Sequence, residues 1–340
     1  MACCSCSTCR STTRPPSRRC KASSGASIRG SPISETSARS PLAGAAFGIL
    51  AALTWGGFPA ITKLSMASNA LDAWDITALR FGVAGLVLLP LFARRRLGEL
   101  GPLRGLFLAV GAGAPYVLLT AGGLAFAPAA HMGVITPSCM LLCSTLGGAW
   151  ILREPLTSAR LLGATAITAG LVAMGWDGLA NHGELTLLGD AMFALGGLFW
   201  ASYTIASRRW SVEPLHATAV VGVVSMALYV PGYAWLVGDG IVAAPWRDLI
   251  VQGIFQGVLS AVVALLFYTR AVAILGAARG AVFAALVPAF SLLLAIPLLH
   301  ETPTTLQLAG VAIVTVGMVL ALGLQDPSRW RAVATRVAPR

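Results

Sequence analysis

Charged residues are scarce in this sequence. Only 11% of its 340 residues are Asp, Glu, Lys or Arg, whereas 56% are hydrophobic and the mean hydropathy is +0.78. Soluble globular proteins carry about 25% charged residues, so this chain lacks the polar surface that a water-soluble fold of its length needs. The composition excludes a soluble globular protein and predicts a polytopic membrane protein.

Motifs that would indicate an enzyme are also absent. The sequence has no G-x-x-x-x-G-K-[ST] loop for nucleotide phosphates, no H-E-x-x-H pair, and no dense acidic or His/Cys cluster inside its hydrophobic stretches. Only four histidines occur in the whole chain. These absences argue against transport powered by ATP on this chain and against an intramembrane metalloenzyme. We therefore predict neither a cofactor nor a metal site.

The first 40 residues differ from the rest of the chain, because they hold five of the seven cysteines and an excess of arginine. No histidine or second cysteine pair completes a tetrahedral zinc site there, and no aromatic residues are interleaved with the basic ones, so no nucleic-acid partner is predicted. We interpret residues 1–40 as a disordered or mis-assigned tail, with an organellar transit peptide or a palmitoylation site as alternatives. Residues 325–340 are interpreted as a basic cytoplasmic tail.

Between the two tails lie ten apolar stretches, numbered here as spans 1 to 10 in chain order. Most are about 20 residues long, enough to cross a bilayer. They fall at about 43–64, 73–93, 103–126, 129–152, 158–177, 186–207, 214–237, 248–274, 278–300 and 304–324. The fold class predicted from this pattern is an all-α membrane protein with ten transmembrane helices.

The second half of the chain repeats the first. Glu301 lies 147 positions after Glu154, and the same offset relates Gly163 to Gly310 and Gly170 to Gly317. We therefore predict two repeats, residues 41–178 and residues 185–324, of five spans each. Because five is odd, the second repeat enters the membrane upside down, which is the inverted-repeat construction of many secondary transporters.

Lysine and arginine are concentrated in every second loop. The loop after span 2 contains Arg94, Arg95 and Arg96, and the loop after span 6 contains Arg208 and Arg209. The loops after the odd-numbered spans carry few cations. By the positive-inside rule, both termini are predicted on the cytoplasmic side of the cytoplasmic membrane.

Ionisable residues within spans are functional hypotheses by default. Arg80 in span 2 has two interpretations: it binds a carboxylate or phosphate of the substrate, or it forms a structural lock with Asp72 or Asp75. The lock is favoured because Arg80 is close enough to the interface to extend towards water. His131, at the start of span 4, titrates near neutral pH, so it is a candidate for proton coupling and otherwise an interfacial residue.

Other candidates are interpreted structurally. Glu154 and Glu301 stand in equivalent tight turns and are interpreted as caps between antiparallel helices, and Asp190, at the start of span 6, is interpreted as a cap in the same way. Pro137 and Pro288 lie inside spans 4 and 9 and are kink or hinge candidates. Polar residues at i, i+4, i+8 in span 8 either line a cavity or bond between helices.

Several short motifs resemble a known family. They are L-x-W-G at Trp55, A-L-R-F at Arg80, W-A-S-Y-T at Trp200, and E-x-x-T-x-x-x-x-x-G beginning at Glu154 and at Glu301. Together with the ten spans they resemble the drug/metabolite transporter superfamily, EamA type. The resemblance implies transport of small metabolites, often outward, through a pathway lined by the first, third and fourth helices of each repeat. By position, these helices contribute Trp55, Tyr116, His131, Trp200, Tyr203, Gln256 and Phe267.

The predicted function is a secondary active transporter, of the exporter type, for small polar metabolites such as amino acids or their derivatives, or for drugs. It would work by alternating access in the lipid bilayer, with protons as a candidate coupling ion. One alternative is a nucleotide-sugar or sugar-phosphate antiporter of the same superfamily, and another is a membrane enzyme or a non-transporting interaction protein. The sequence does not fix the substrate, the direction or the oligomeric state.

Overall fold

The structure is a computed structural model and describes residues 41–237 and 239–322. The predicted tails at residues 1–40 and 325–340 lie outside the described residues. The fold is built from fourteen α-helices, a 3₁₀ turn at Gly98–Leu100 and a π-helix at Gly253–Val263. The α-helices are α1 (Pro41–Ala67), α2 (Ala73–Arg95), α3 (Gly101–Ala112), α4 (Ala114–Gly123), α5 (Ala129–Ile151), α6 (Ser158–His182), α7 (Leu185–Arg209), α8 (Pro214–Leu236), α9 (Asp239–Ala243), α10 (Trp246–Gln252), α11 (Ala264–Leu275), α12 (Ala277–Ala285), α13 (Val287–Leu299) and α14 (Thr305–Ala321).

These helices form ten membrane crossings. Nine helical segments of the described residues are long and apolar enough to span a bilayer, and α14, with 17 residues, is a shorter apolar helix at the lower end of the length that a crossing requires. Span 3 consists of α3 and α4, span 8 of α10, the π-helix and α11, and span 9 of α12 and α13. The predicted fold class, with ten spans, is confirmed.

Local sequence explains where several helices begin. Asp72 caps α2 and forms a capping box with Asp75, and Thr304 forms the same motif with Gln307 at the start of α14. Thr157 caps α6 through its hydroxyl oxygen, which accepts a hydrogen bond from the Arg160 N–H. Short polar turns therefore satisfy the free N–H groups at these membrane-facing helix ends.

Two crossings are interrupted. Span 3 breaks at Gly113, where a Cβ atom would lie 2.1 Å from the Ser225 hydroxyl oxygen, so only glycine fits this approach. Span 9 breaks between Ala285 and Val287, and Pro288 follows in the first turn of α13. Pro137, by contrast, lies inside an uninterrupted α5. A hinge role for either proline stays a prediction.

The packing of the spans has an internal symmetry. Span 5 packs on span 10, span 2 on span 7, and span 4 on span 9. Each remaining major contact has a counterpart in the other repeat. The contact of span 1 with span 9 corresponds to that of span 6 with span 4, and the contact of span 1 with span 8 corresponds to that of span 6 with span 3. The contact of span 2 with span 8 corresponds to that of span 7 with span 3. Exchanging each span of one repeat for its counterpart in the other leaves this set unchanged.

Glycines establish the inversion directly. A Cβ atom on Gly163 would lie 2.6 Å from the Gly317 carbonyl oxygen, and one on Gly170 would lie 3.1 Å from the Gly310 carbonyl oxygen. The partner number falls as the residue number rises, so α6 and α14 run antiparallel. Small residues at such a crossing let the two backbones approach closely.

Candidate functional site

Arg80 lies in the interior of the bundle, at the contact between the two repeats. It stands about two turns into α2 and is only 8% exposed. Its Nη1 donates to the Gln256 side-chain oxygen at 3.0 Å and to the Ser260 hydroxyl at 3.3 Å. Both partners belong to the π-helix of span 8, in the second repeat. Arg80 therefore joins the first repeat to the second.

The guanidinium has no negatively charged partner in the described part of the chain. Its carbon atom lies 5.1 Å from the centre of the Phe58 ring, and its Nε–H is buried without a hydrogen-bond partner. The ion pairs formed by the described residues do not include Arg80. A buried positive charge surrounded by neutral groups is energetically unfavourable unless an anion joins it.

The predicted lock with Asp72 or Asp75 is wrong. Asp72 is occupied as the cap of α2, and Asp75 accepts hydrogen bonds from the Tyr233 hydroxyl at 2.5 Å and from the Asp72 N–H at 2.9 Å. Both carboxylates lie at the start of the helix, whereas Arg80 points to span 8. The idea that Arg80 reaches the interface is also wrong, because its side chain is buried.

A chain of buried amides fixes the side chain that holds Arg80. The Gln256 Nε2 donates to the Thr62 hydroxyl at 2.7 Å and to the Gln252 side-chain oxygen at 3.2 Å. The Gln252 Nε2 in turn donates to the Ile61 carbonyl at 2.7 Å and to the Ser65 hydroxyl at 2.8 Å. With its nitrogen occupied, Gln256 presents its oxygen to Arg80. The predicted polar stripe of span 8 therefore forms bonds between helices.

The π-helix of span 8 is the irregular element of this site. The π-helix is rare, is found mostly as single turns inside α-helices and frequently lies at functional sites, and here the segment extends over 11 residues. Within it, the Ser260 carbonyl accepts a hydrogen bond from the Trp55 indole at 3.3 Å. The Trp55 ring also contacts Tyr268, with ring centres 5.5 Å apart. Trp55, Arg80 and Gln256 are thus brought together on one segment.

The other predicted aromatic residues make ring contacts among themselves or with further rings. Tyr116 and Trp200 have ring centres 4.8 Å apart, and Trp200 and Tyr203 have ring centres 5.6 Å apart. These three residues join span 3 to span 6, a contact that corresponds by symmetry to the contact of span 8 with span 1. Phe267 instead packs against Phe47 at 5.5 Å and makes no described ring contact with any of them.

His131 is fully buried, so the interfacial interpretation of this residue is wrong. Its Nδ1 lies 2.9 Å from an Asp190 oxygen and its Nε2 lies 3.9 Å from an Asp177 oxygen. Asp190, which follows the first turn of α7, is a partner of His131 and not a cap. These three residues lie far apart in the sequence, on three different helices, so their proximity was not predictable from it.

Glu154 and Glu301 occupy equivalent positions in the two repeats. Glu301 accepts hydrogen bonds from the Lys63 ammonium at 3.1 Å and from the Ala129 N–H at 3.2 Å. Glu154 contacts Arg208, which occupies the same place at the end of span 6 as Lys63 does at the end of span 1. Each glutamate therefore ties a hairpin to the end of a span in the other repeat.

The helices that follow these glutamates are capped by other residues. Thr157 caps α6 and Thr304 caps α14. Glu301 does meet a helix N-terminus, that of α5, while Glu154 pairs with Arg160 at 3.3 Å. Each glutamate therefore joins a turn to other helices and does not cap the helix that follows it, so the interpretation of these residues as caps of the next helix is wrong.

Comparisons with known proteins agree with this architecture. The EamA-like transporter family matches residues 42–176 and 187–323. Among solved structures, this chain is similar to one described only as the crystal structure of a protein, with 23% sequence identity and a TM-score of 0.55. The match covers 83% of this chain and 99% of the other chain. At that identity the likeness concerns the fold alone. A comparison with curated proteins gave no match.

Proposed function

Because the chain belongs to the EamA-like transporter family, we propose that it is a secondary active transporter for small polar solutes that carry a carboxylate. Amino acids and their derivatives are the proposed class. It moves them by alternating access between the two repeats, in the outward direction that the family resemblance favours. The observation that carries the proposal is Arg80, a buried cation without a described counter-ion.

The chemistry of Arg80 supports a carboxylate as the ligand. Its guanidinium offers five N–H donors in a planar fork that fits a carboxylate, and its Nε–H has no partner in the described structure. Hydrogen bonds to charged groups contribute about 1.5–3 kcal/mol each. A carboxylate would satisfy these donors and neutralise a charge that is otherwise buried among neutral groups.

Neighbouring residues suit an amino-acid-sized ligand. Gln256 and Ser260 hold one nitrogen of the guanidinium, which leaves the rest of the fork for a ligand. Phe58 lies beside the charge, and the Trp55 indole bonds to the same segment as Arg80. These apolar rings limit the access of water to the guanidinium, which strengthens its attraction for an anion.

The same observation disfavours a nucleotide-sugar or sugar-phosphate antiporter. A phosphate carries more charge than a carboxylate, and its recognition usually requires several cations. In the described ranges, the other arginines of the spans lie near span ends, and Arg80 is the buried one. One guanidinium matches the single charge of a carboxylate.

We propose that the protein lies in the cytoplasmic membrane with both termini in the cytoplasm. The arginines after spans 2 and 6 support this orientation. Reporter domains fused after Arg96 and after His182 test it, because the first site is expected inside the cell and the second outside. The opposite labelling would overturn the orientation.

Transport is tested with purified protein in proteoliposomes. Vesicles are loaded with one unlabelled amino acid at a time, and entry of the same radiolabelled amino acid is measured as counterflow. We expect counterflow for at least one member of the set, a loss of at least tenfold in Arg80→Gln, and wild-type rates in Arg247→Gln, a control at an exposed arginine. Counterflow that is unchanged in Arg80→Gln would overturn the role of Arg80, and folded wild-type protein without any flux would overturn the function.

A further inference from the structure

A second buried cluster of titratable groups shares no described hydrogen bond with Arg80. Its buried titratable members are His131 of α5, Asp177 near the end of α6 and Asp190 of α7, and they are joined by the neutral Gln307 of α14 and by the exposed His182 at the end of α6. The side chains of His131 and Asp177 are 0% exposed, and that of Asp190 is 11% exposed. We propose that this cluster is the binding site of a coupling proton, which exchanges for the transported solute. The proposal rests on the transport function proposed above.

Charge balance favours the uptake of a proton by the cluster. Two carboxylates and a neutral imidazole would place two negative charges in an interior of low dielectric constant, where like charges repel strongly. One Asp177 oxygen and one Asp190 oxygen are buried without a hydrogen-bond partner. A proton bound at His131 or on either oxygen removes one of the two charges and supplies a missing donor.

The hydrogen bonds identify the atom that takes up this proton. The Gln307 side-chain oxygen accepts a hydrogen bond from the Thr304 N–H, so its amide nitrogen faces His131 Nε2 at 3.4 Å. An amide nitrogen only donates, so Nε2 is the unprotonated nitrogen and Nδ1–H donates to Asp190. When Nε2 takes up a proton, it no longer accepts a hydrogen bond from Gln307. The new Nε2–H can instead donate to the unpartnered Asp177 oxygen, which lies 3.9 Å away.

The cluster has a route to water. His182 is exposed, and its Nε2 lies 3.5 Å from the same Gln307 nitrogen that faces His131. The rings of His131 and His182 meet edge to face, with centres 6.1 Å apart. In the proposed orientation this end of the bundle faces away from the cytoplasm, so protons enter the cluster from outside.

Every charged or titratable group facing His131 belongs to this network or lies next to it. From α6 these are Asp177 and His182, and from α7 it is Asp190. From α1 and the segment before α14, Lys63 and Glu301 form an ion pair that also bonds the Ala129 N–H, two residues before His131. In the described sequence α13 has no titratable residue, α14 contributes the neutral Gln307, and α4 contributes only Tyr116, which contacts Trp200.

The proton site is hydrogen-bonded to the segment from Glu301 to Thr304, which joins several spans at this end of the protein. The second Asp177 oxygen accepts a hydrogen bond from the Thr304 hydroxyl at 2.5 Å, and Thr304 caps α14. Three residues earlier, Glu301 ties α1 to the start of α5. A change of charge at Asp177 therefore acts on a short segment that holds spans 1, 4 and 10 together.

The first test separates transport from coupling. Counterflow of the radiolabelled amino acid needs no net proton movement, whereas accumulation against its gradient in vesicles with an acidic interior requires protons to leave as solute enters. We expect His131→Gln, Asp177→Asn and Asp190→Asn to keep counterflow and to lose accumulation by at least tenfold. His216→Gln and Glu184→Gln, matched controls outside the cluster, should accumulate as the wild type does.

Each contrary result has a separate meaning. Wild-type counterflow without accumulation in acid-loaded vesicles, or accumulation that the cluster variants retain, would overturn the proton site and leave the transport function standing. Accumulation driven only by an alkaline interior would overturn the proposed exchange. Absence of counterflow in folded wild-type protein would instead contradict the transport function.

A second test needs no solute. The full-length protein has four histidines, so ¹⁵N-histidine NMR signals can be assigned by single substitutions. We expect the His131 ring to carry its proton on Nδ1 at high pH, to become doubly protonated as the pH falls, and to change this response in Asp177→Asn. A His131 signal that is unchanged between about pH 5 and pH 9 would overturn the site, since that range brackets the ordinary titration of histidine.

Discussion

Replacing Arg80 with methionine should weaken solute binding strongly while changing the stability of the protein little. Methionine approximates the length of the arginine stem but carries no charge. Replacing buried ionic groups with apolar residues of similar volume is neutral or stabilising by about 1–4 kcal/mol. Against this stands the loss of a donor to the buried Gln256 oxygen, which costs about 1–3 kcal/mol. Near the middle of these two ranges the gain and the cost nearly cancel, so the net change in the free energy of unfolding is expected to be close to zero.

Binding should change far more. Loss of one charge-assisted hydrogen bond to a carboxylate removes about 1.5–3 kcal/mol, which corresponds to a roughly 10- to 100-fold weaker affinity. If Arg80 instead had a purely structural role, losing its two charge-assisted hydrogen bonds, to Gln256 and Ser260, would destabilise the protein by about 3 kcal/mol or more. The two interpretations thus predict opposite effects on stability and on transport.

The assay combines thermal unfolding in detergent, followed by tryptophan fluorescence, with counterflow in proteoliposomes. For a chain of 340 residues, a loss of 3 kcal/mol would lower the midpoint of unfolding by about 4 °C, which the measurement resolves. Arg247→Met, at an exposed position, controls for the loss of an arginine. An Arg80→Met variant that unfolds at least that much earlier and still transports would refute the reasoning.

Two further predictions concern the contacts between the repeats. Gly170→Leu should destabilise the protein by about 1–3 kcal/mol, because a Cβ atom there would lie 2.5 Å from the Val314 side chain and 3.1 Å from the Gly310 carbonyl oxygen. Gly175→Leu, where the added Cβ atom meets open space, should not destabilise it, and equal unfolding midpoints of the two variants would contradict this packing. Glu301→Gln should lower stability by up to about 1 kcal/mol, because it removes the charge that faces Lys63. The difference from wild type should shrink in 1 M salt, and a difference independent of salt would show that the charge is not responsible.

The fold was predictable because its signals are long and repeated. Each span is an apolar run of bilayer length, and the pairs Gly163/Gly310 and Gly170/Gly317 reveal the duplication without any structure. An odd number of spans in each repeat then requires inversion. The structure confirms this in the antiparallel contact of α6 with α14.

The candidate site was predictable only in part. Arg80 was identified because a charge within a span is rare, but its partner was not. Asp75, which is near Arg80 in sequence, bonds to Tyr233, whereas Gln256, which is far away in sequence, bonds to Arg80. The π-helix of span 8 was not predictable, because its residues would equally suit an α-helix. Asp190 was misread for a similar reason: its position near the start of a helix suggested a cap, and only the packing of α5 on α7 brings it to His131.

The contact of α6 with α14 explains which positions of the duplication have remained alike. Gly163 meets Gly317 and Gly170 meets Gly310, so each glycine of one half must accommodate the backbone of the other. A larger residue at any of the four would disturb both halves at once, and neither half is able to diverge alone. Arg80 is under no such mutual constraint, since serine and methionine stand near its counterpart position in span 7. The two halves share glycines where each must fit the other, and they differ at Arg80, which has no cationic counterpart in span 7.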